Sequence, residues 1–220
     1  MVVTYLCGMS VNVEKYREIL AELQGRAQLV AVSKTKPSED IRALYDLGQR
    51  DFGENYVQEL VDKQGQLPAD IRWHFIGHLQ SNKVKYIASF VHLIHGVDSD
   101  RLLKEIGKQA AKAGRIIDVL LQVHIAREET KFGLDDAELA TVMQSGAPAG
   151  VRIRGLMGMA SNTEDQEVVR AEFRELKTLF DRFFPAGGLL SMGMSADYPL
   201  AMAEGGNMVR IGSLLFGKRG

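Results

Sequence analysis

The residues with the clearest chemical potential are a lysine near the start of the chain and two serines and a glycine near its end. Lys34 directly follows the apolar segment 29–33, whereas Ser195, Gly212 and Ser213 lie in two Ser- and Gly-rich segments. An amine at the end of an apolar strand is partly desolvated, which favours the neutral form that attacks an aldehyde. Serine hydroxyls, together with backbone N–H groups beside a glycine, can surround a phosphate dianion.

Each feature also has an ordinary structural explanation. Lys34 could be a solvated loop lysine, since Lys36 lies two residues further on and such side chains commonly keep the amine in water. Ser- and Gly-rich segments are more often turns than binding sites. The chemical interpretation therefore depends on a fold that brings Lys34 and both C-terminal segments together.

The hydrophobic pattern predicts such a fold. Short apolar runs alternate with helical stretches, as in repeated βα units. The predicted strands cover residues 29–33, 51–53, 72–76, 91–96, 117–125, 151–157, 189–192 and 208–211. Eight strands in a chain of 220 residues favour a closed parallel barrel over an open doubly wound sheet. The sequence therefore predicts an α/β protein, a single (β/α)8 barrel of the TIM type, with residues 1–220 as one domain.

An extra helix is predicted at the N-terminus. Its apolar positions are Val13, Tyr16, Leu20 and Leu23, which recur at steps of three and four residues. Only a few residues follow the last predicted strand, so no helix is predicted after it. The N-terminal helix is predicted to fill that gap in the ring of helices.

The barrel prediction places the chemical residues at one end. In this fold the active site lies at the C-terminal ends of the strands, and a phosphate site commonly forms after strands seven and eight. Lys34 ends the first predicted strand, Ser195 follows the seventh, and Gly212 and Ser213 follow the eighth. We therefore expect the amine and the hydroxyls to meet at one barrel mouth.

Six segments resemble, in order, the signatures of the pyridoxal phosphate homeostasis protein family. They are Ala-Val-Ser-Lys34-Thr-Lys, Phe-Gly-Glu54-Asn55-Tyr56, Trp-His-Phe-Ile-Gly-His78-Leu-Gln-Ser-Asn-Lys, Gly-Leu-Met157-Gly-Met, Ser-Met-Gly-Met-Ser195-Ala-Asp and Val-Arg210-Ile-Gly-Ser213. The resemblance covers residues 29–217. It implies the barrel of the alanine racemase N-terminal domain, with pyridoxal 5′-phosphate (PLP) as the cofactor, held as a Schiff base on Lys34.

The resemblance also implies phosphate ligands and a partner for the cofactor ring. Ser195, Gly212 and Ser213 would bind the phosphate, and Arg210 would point toward the pyridine nitrogen. Because arginine is always a donor, it would keep that nitrogen unprotonated and make the ring a weak electron sink. The alternative is that Arg210 pairs with a buried carboxylate such as Glu54.

Three further residues are candidates for the lining of the site. Asn55 and His78 each lie just past a predicted strand end, where they could bond to or stack on the ring. Met157, at the end of the sixth predicted strand, could touch the cofactor. A loop-capping asparagine, a structural histidine and a core methionine are the ordinary alternatives.

These features predict a protein of intracellular PLP homeostasis that binds, stores and delivers PLP, with PLP-dependent apoenzymes as candidate recipients. Racemisation needs an acid and a base on opposite faces of the Schiff base. Lys34 could serve one face, but racemases of this fold take the other group from an additional β-domain, which is not seen before the sequence ends at Gly220. We therefore predict no efficient catalysis and no established catalytic residue. The alternatives are a weak PLP-dependent amino-acid racemase and a phosphate-ligand barrel enzyme without PLP.

Composition bounds the partners and the compartment. The chain is 45% hydrophobic and 25% charged, and its formal net charge of -1 gives no overall field that would attract nucleic acid or an anionic membrane. It shows no secretory signal and no membrane-spanning apolar run, and Cys7 is its only cysteine, so no intrachain disulfide can form. We therefore expect a cytoplasmic protein without nucleic-acid or membrane partners, and a monomer, since the racemase dimer interface involves the additional β-domain.

The histidines do not show the spacing of a metal site. His74 and His78 lie four residues apart, whereas His92, His95 and His124 lie on or near other predicted strands. A metal site would require these side chains to converge. The sequence therefore predicts structural histidines and no bound metal.

Overall fold

A computed structural model of the chain describes residues 11–128 and 132–217. Eight strands close into a barrel in chain order, with neighbouring strands parallel and β1 paired with β8. The strands are β1 (Gln28–Val32), β2 (Asp51–Glu54), β3 (Arg72–Phe75), β4 (Leu93–Val97), β5 (Ile117–Gln122), β6 (Val151–Met157), β7 (Leu189–Ser191) and β8 (Met208–Ile211). The predicted (β/α)8 barrel is confirmed.

Helices surround this sheet. They are α1 (Val13–Leu23), α2 (Ser38–Asp46), α3 (Val57–Gln64), α4 (Val84–Ile87), α5 (Asp100–Lys112), α6 (Asp136–Ser145), α7 (Gln166–Phe183), α8 (Tyr198–Ala203) and α9 (Ser213–Phe216), with a 3-10 turn at Ser81–Lys83. Within the described ranges, none is both long and apolar enough to cross a bilayer. Cys7 lies outside the described residues.

Alternation along the strands creates two apolar layers. The larger lies between the sheet and the helices and includes Phe52, Phe75 and Phe173. The smaller lies inside the barrel and consists of Val30, Leu93, Leu120, Met157 and Met208. Successive side chains of a strand point to opposite faces, and each fully buried large apolar side chain contributes about 1.5–3 kcal/mol. The remaining interior positions of the barrel include polar side chains.

The N-terminal helix is confirmed, but its predicted apolar stripe is wrong at one position. Tyr16, Ile19 and Leu23 are buried, whereas Leu20 is 41% exposed. Positions three and four residues apart share a helix face. The contact stripe between Tyr16 and Leu23 runs through Ile19, which leaves Leu20 at its edge.

The prediction that no helix follows the last strand was wrong. A single turn, α9, follows β8, and its residues Leu215 and Phe216 are buried. The backbone N–H of Asn12, at the start of α1, donates to the Leu215 carbonyl at 2.8 Å. The two terminal helices therefore close the ring together.

Local hydrogen bonds determine where elements begin and end. The predicted strand 91–96 begins only at Leu93, because the Val91 N–H donates to the Ile87 carbonyl and completes the end of α4. The long helix α7 begins at Gln166, because the Asp165 side chain accepts hydrogen bonds from the N–H groups of Glu167 and Val168.

Candidate functional site

A cavity of about 340 Å³ opens at the C-terminal ends of β1 and β8. Its lining includes six of the eight residues that the sequence singled out, which come from opposite ends of the chain: Lys34, Asn55, Ser195, Arg210, Gly212 and Ser213. The barrel topology explains this convergence, since β1 pairs directly with β8. The structure therefore brings an amine, an amide, a guanidinium and two hydroxyls to one mouth.

The other two predicted residues do not line this cavity. The exposed ring of His78 stacks on Phe132 with centroids 4.1 Å apart, and its Nδ1 lies 3.0 Å from Asp98 Oδ2. It lines a neighbouring cleft of about 660 Å³. Met157 is 1% exposed inside the barrel, and Met159, two residues later, lines the cavity instead.

Lys34 is presented by a tight turn at the end of β1. The Lys36 N–H donates to the Ser33 carbonyl at 3.0 Å, which closes the turn around Lys34 and Thr35. Thr35 has a φ of 63°. The left-handed region is unfavourable for a β-branched residue, so this backbone conformation has to be held by contacts outside the turn.

Those contacts come from a buried cluster on β2 and α3. Glu59 Oε1 accepts the Thr35 N–H at 2.6 Å, and Lys63 Nζ donates to Glu59 Oε1 at 2.7 Å. Lys63 also donates to Glu54 Oε1 and to the Ser33 carbonyl, each at 2.8 Å. Glu54 is fully buried, and burial raises the pKa of its carboxyl group despite the adjacent Lys63. One ammonium group thus ties both carboxylates to the turn.

Arg210 lies beneath the cavity with only 4% exposure. Its Nη1 donates to Ser191 Oγ at 2.6 Å and its Nη2 to the Gly158 carbonyl at 3.1 Å. Burial lowers the pKa of Arg210 to about 10, so the guanidinium stays charged at neutral pH. The alternative pairing with Glu54 was wrong, because that carboxylate is bound by Ser33 and Lys63.

The C-terminal segments pack closely around the cavity. The Gly212 N–H donates to Ser195 Oγ at 3.2 Å. A Cβ at Gly212 would lie 3.1 Å from the Val32 carbonyl oxygen, so a glycine allows the loop after β8 to approach β1. Gly193 has a φ of 89°, which glycine adopts without strain and which shapes the turn after β7.

Asn55 provides an independent indication of a polar ligand. Its Oδ1 is buried and has no hydrogen-bond partner among the residues that the structure describes. A buried acceptor without a donor is costly, by about 1–3 kcal/mol. Because Asn55 lines the cavity, a bound group carrying a donor would satisfy it there.

A polar chain below Arg210 was not anticipated from the sequence. Ser191, His95, His74 and Asp51 are all buried and connected by hydrogen bonds within the barrel. His74 and His95 occupy inward positions of adjacent strands. Alternation along β3 and β4 could have indicated that they share the barrel interior, although the resulting pairing was not visible.

Two of the histidines converge with a carboxylate, which the sequence did not show. Ligand-type atoms of Asp51, His74 and His92 all lie within 4.8 Å of one another. Both carboxylate oxygens of Asp51 are already engaged by Arg72, at 2.7 and 2.5 Å. In this arrangement the Arg72 guanidinium supplies the positive charge next to that carboxylate.

Sequence comparisons agree with this fold. Residues 9–220 match the family described as alanine racemase, N-terminal domain. A pyridoxal phosphate homeostasis protein of Aquifex aeolicus is 41% identical over 214 residues, which cover 94% of each chain. One from Vibrio alginolyticus is 40% identical over 202 residues, which cover 87% of this chain and 86% of the relative.

Solved structures are similar over most of the chain. PipY of Synechococcus elongatus, solved with PLP bound, superposes with a TM-score of 0.85 at 38% identity, covering 93% of this chain and 99% of PipY. Alanine racemase from Bartonella henselae, solved with covalently bound pyridoxal phosphate, gives a TM-score of 0.71 at 16% identity, covering 95% of this chain and 61% of the racemase. The second similarity extends to the fold alone.

Proposed function

Because the chain belongs to the pyridoxal phosphate homeostasis protein family, within the wider alanine racemase N-terminal domain family, we propose that it binds, stores and delivers PLP. The observation that carries this proposal is the meeting of Lys34 with the hydroxyls of Ser195 and Ser213 in one cavity. An amine and a phosphate-binding loop are the two features that a phosphorylated aldehyde requires.

The residues present fit PLP. Lys34 would hold PLP through its amine, and PLP would supply an aldehyde, the electrophile that such an amine requires. Ser195, Ser213 and the backbone at Gly212 would bind the phosphate. Asn55 Oδ1 would accept a hydrogen bond from a polar substituent. His78 and Met157 would act at most from the neighbouring cleft and from the barrel interior.

Arg210 favours retention of the cofactor over fast chemistry. Its guanidinium is charged at neutral pH and can only donate hydrogen bonds. Such a donor would bind the pyridine nitrogen without protonating it and would leave the ring a weak electron sink. Among the described residues that line the cavity, none is a tyrosine, the residue type that serves as the second acid or base in racemases of this fold.

We also propose that the protein is a monomer in the cytoplasm. In that state the cavity mouth would be free to meet PLP-dependent apoenzymes as recipients. The open cavity supports this, since the mouth is bounded by short loops and by partly exposed residues such as Lys34.

The direct test is to add PLP, record the visible absorbance of the lysine-bound cofactor, reduce with borohydride and map the labelled peptide. We expect the label on Lys34 and its loss in Lys34→Ala. Lys36→Ala is the matched control, because Lys36 lines the same cavity two residues away, and its label should stay on Lys34.

A protein that remains unlabelled with excess PLP would overturn the proposal and favour a phosphate-ligand barrel enzyme. Exchange at the α-carbon of an amino acid, lost in Lys34→Ala, would instead favour the racemase.

A further inference from the structure

A continuous chain of hydrogen bonds crosses the interior of the barrel. Arg210 Nη1 donates to Ser191 Oγ at 2.6 Å, and Ser191 Oγ lies 3.1 Å from His95 Nδ1. His95 Nε2 lies 2.9 Å from His74 Nδ1, and His74 Nε2 lies 3.0 Å from Asp51 Oδ1. All five residues are at most 5% exposed. The chain therefore has little access to solvent that could substitute for a missing partner.

The two ends of the chain fix its direction. A guanidinium can only donate hydrogen bonds, and a carboxylate can only accept them. Ser191 accepts from Arg210 and gives its one proton to His95, whose Nε2–H donates to His74, whose Nε2–H donates to Asp51. Reversing the histidines would leave the lone pair of His74 Nε2 facing the Asp51 carboxylate, which is repulsive. The carboxylate thus selects the Nε2–H tautomer of both histidines.

The charge states agree with this direction. Burial lowers the pKa of His95 well below its usual value, which keeps the imidazole neutral. Burial opposes the ionisation of Asp51, but the hydrogen bonds from Arg72 and His74 outweigh it and hold the pKa of Asp51 well below its usual range. A neutral His95 therefore lies in the chain between the Arg210 cation and the Asp51 anion.

We propose that Asp51, His74, His95 and Ser191 are positioning residues that hold Arg210 as an oriented donor at the floor of the cofactor cavity. Asp51 is the first residue of β2, at the end of the barrel opposite the cavity, whereas Arg210 lies near the C-terminal end of β8. A carboxylate at the far rim thus sets the direction of every bond up to the ligand-facing guanidinium. The identity of the ligand as PLP rests on the proposed function, whereas the hydrogen-bonded chain itself does not.

The same rim contains a matched control. Asp118, near the start of β5, is bound by Arg152 at 2.7 and 2.9 Å and by Arg154 at 2.9 Å. In the described part of the protein its hydrogen bonds go to these arginines and not to a histidine. Asp118→Asn therefore removes the same charge from the same rim without touching the chain.

The first experiment uses the protein without cofactor. Long-range proton–nitrogen NMR spectra report which ring nitrogen of each histidine carries its proton. We expect Nε2–H for His74 and His95 in the unaltered protein and in Asp118→Asn. In Asp51→Asn the side-chain amide can donate to His74 Nε2, so the proton should move to Nδ1 in part or in full. An Nδ1–H tautomer in the unaltered protein, or unchanged tautomers in Asp51→Asn, would overturn the proposal.

The second experiment adds PLP. We expect Asp51→Asn to shift the visible absorbance of the lysine-bound cofactor and to weaken its retention about tenfold, the equivalent of about 1.4 kcal/mol, whereas Asp118→Asn leaves both unchanged. Ser191→Ala breaks the chain next to Arg210 and should act in the same direction if Asp51→Asn does not fold. Equal spectra and retention in all variants would overturn the positioning role. If the unaltered protein takes up no PLP, the proposed function fails, and the tautomer spectra alone decide whether the chain is directed.

Discussion

At the scale of single residues, the convergence of Lys34 and the two serines on one cavity could be predicted, because each follows a predicted strand end on the same side of the barrel. An amine at the end of an apolar strand and hydroxyls in glycine-rich loops are local signals. The signal from Arg210 is also local, because an arginine is an unusual residue within the apolar strand Met208–Ile211. Its partner could not be predicted, because Ser191 belongs to another strand and the choice between Ser191 and Glu54 depends on the barrel register.

Residues beyond the strand ends were harder to assign. Met157 and Met159 differ by two positions, yet one is buried in the interior apolar layer and the other lines the cavity. His78 follows a strand end as Lys34 does, but its ring turns toward Asp98 and Phe132. Once the chain leaves the strand, side-chain direction depends on loop geometry, which sequence spacing does not determine.

The phosphate role of the two serines gives the prediction at this scale. Hydrogen bonds to a charged group are worth about 1.5–3 kcal/mol, so Ser195→Ala and Ser213→Ala should each weaken PLP retention about tenfold or more. Equilibrium dialysis of PLP, with circular dichroism to verify the fold, measures this loss. Ser38→Ala, at the start of α2 and bonded to Gln66, should retain PLP normally. Unchanged retention in both cavity variants would remove these serines from the phosphate site.

At the scale of elements, strands and helices followed from apolar periodicity, whereas their ends followed from hydrogen bonds. Several barrel strands, such as β1, are nearly continuous apolar runs, so they were visible in the sequence. The last helix, α9, was missed because a single turn has no periodicity to detect. Its anchor is a backbone contact with Asn12, about as distant along the chain as two residues can be.

The turn that presents Lys34 is the element in which sequence and conformation conflict. Thr35 takes a left-handed φ of 63° that glycine would adopt freely, and such strain costs about 1–3 kcal/mol. Glu59 holds the turn by accepting the Thr35 N–H, and Lys63 holds Glu59 in place. The conflict suggests that the turn is maintained for the direction it gives to Lys34.

The contact of Glu59 with the Thr35 N–H, which we call the clamp, leads to a prediction that a second substitution restores function. Glu59→Ala should slow the attachment of PLP to Lys34 several-fold, and adding Thr35→Gly should restore most of the rate, because glycine adopts the turn without the clamp. The appearance of the visible absorbance after mixing with PLP measures the rate. Glu39→Ala, an exposed carboxylate on α2, is the control and should react normally. A double variant as slow as Glu59→Ala would show that the carboxylate acts by charge and not by holding the turn.

At the scale of the whole molecule, closure of the barrel forms the cavity and also encloses a polar interior. It encloses a polar path between the two ends of the sheet, so that the rim carboxylate of Asp51 and the cavity guanidinium of Arg210 belong to one network. Partners in this path are separated by up to 96 residues in sequence. No local pattern contains such a path, which is why most of the predicted residues line the cavity whereas the residues that support Arg210 could not be predicted.

The network should also be visible in the pH dependence of stability. The folded-state pKa of Asp51 is depressed below its usual value of 3.8, so the ionised form stabilises the fold above that pH, and this contribution is lost as pH falls from the usual pKa toward the folded one. Asp51→Asn lacks this titration. We therefore expect the difference in unfolding free energy between the two proteins to be constant near neutral pH and to shrink in acid.

Urea unfolding measured from neutral pH downward, with Asp118→Asn in parallel, provides the comparison. A difference that grows in acid would mean that the folded protein binds the Asp51 proton more tightly than the unfolded chain, which is incompatible with a carboxylate held ionised by Arg72 and His74.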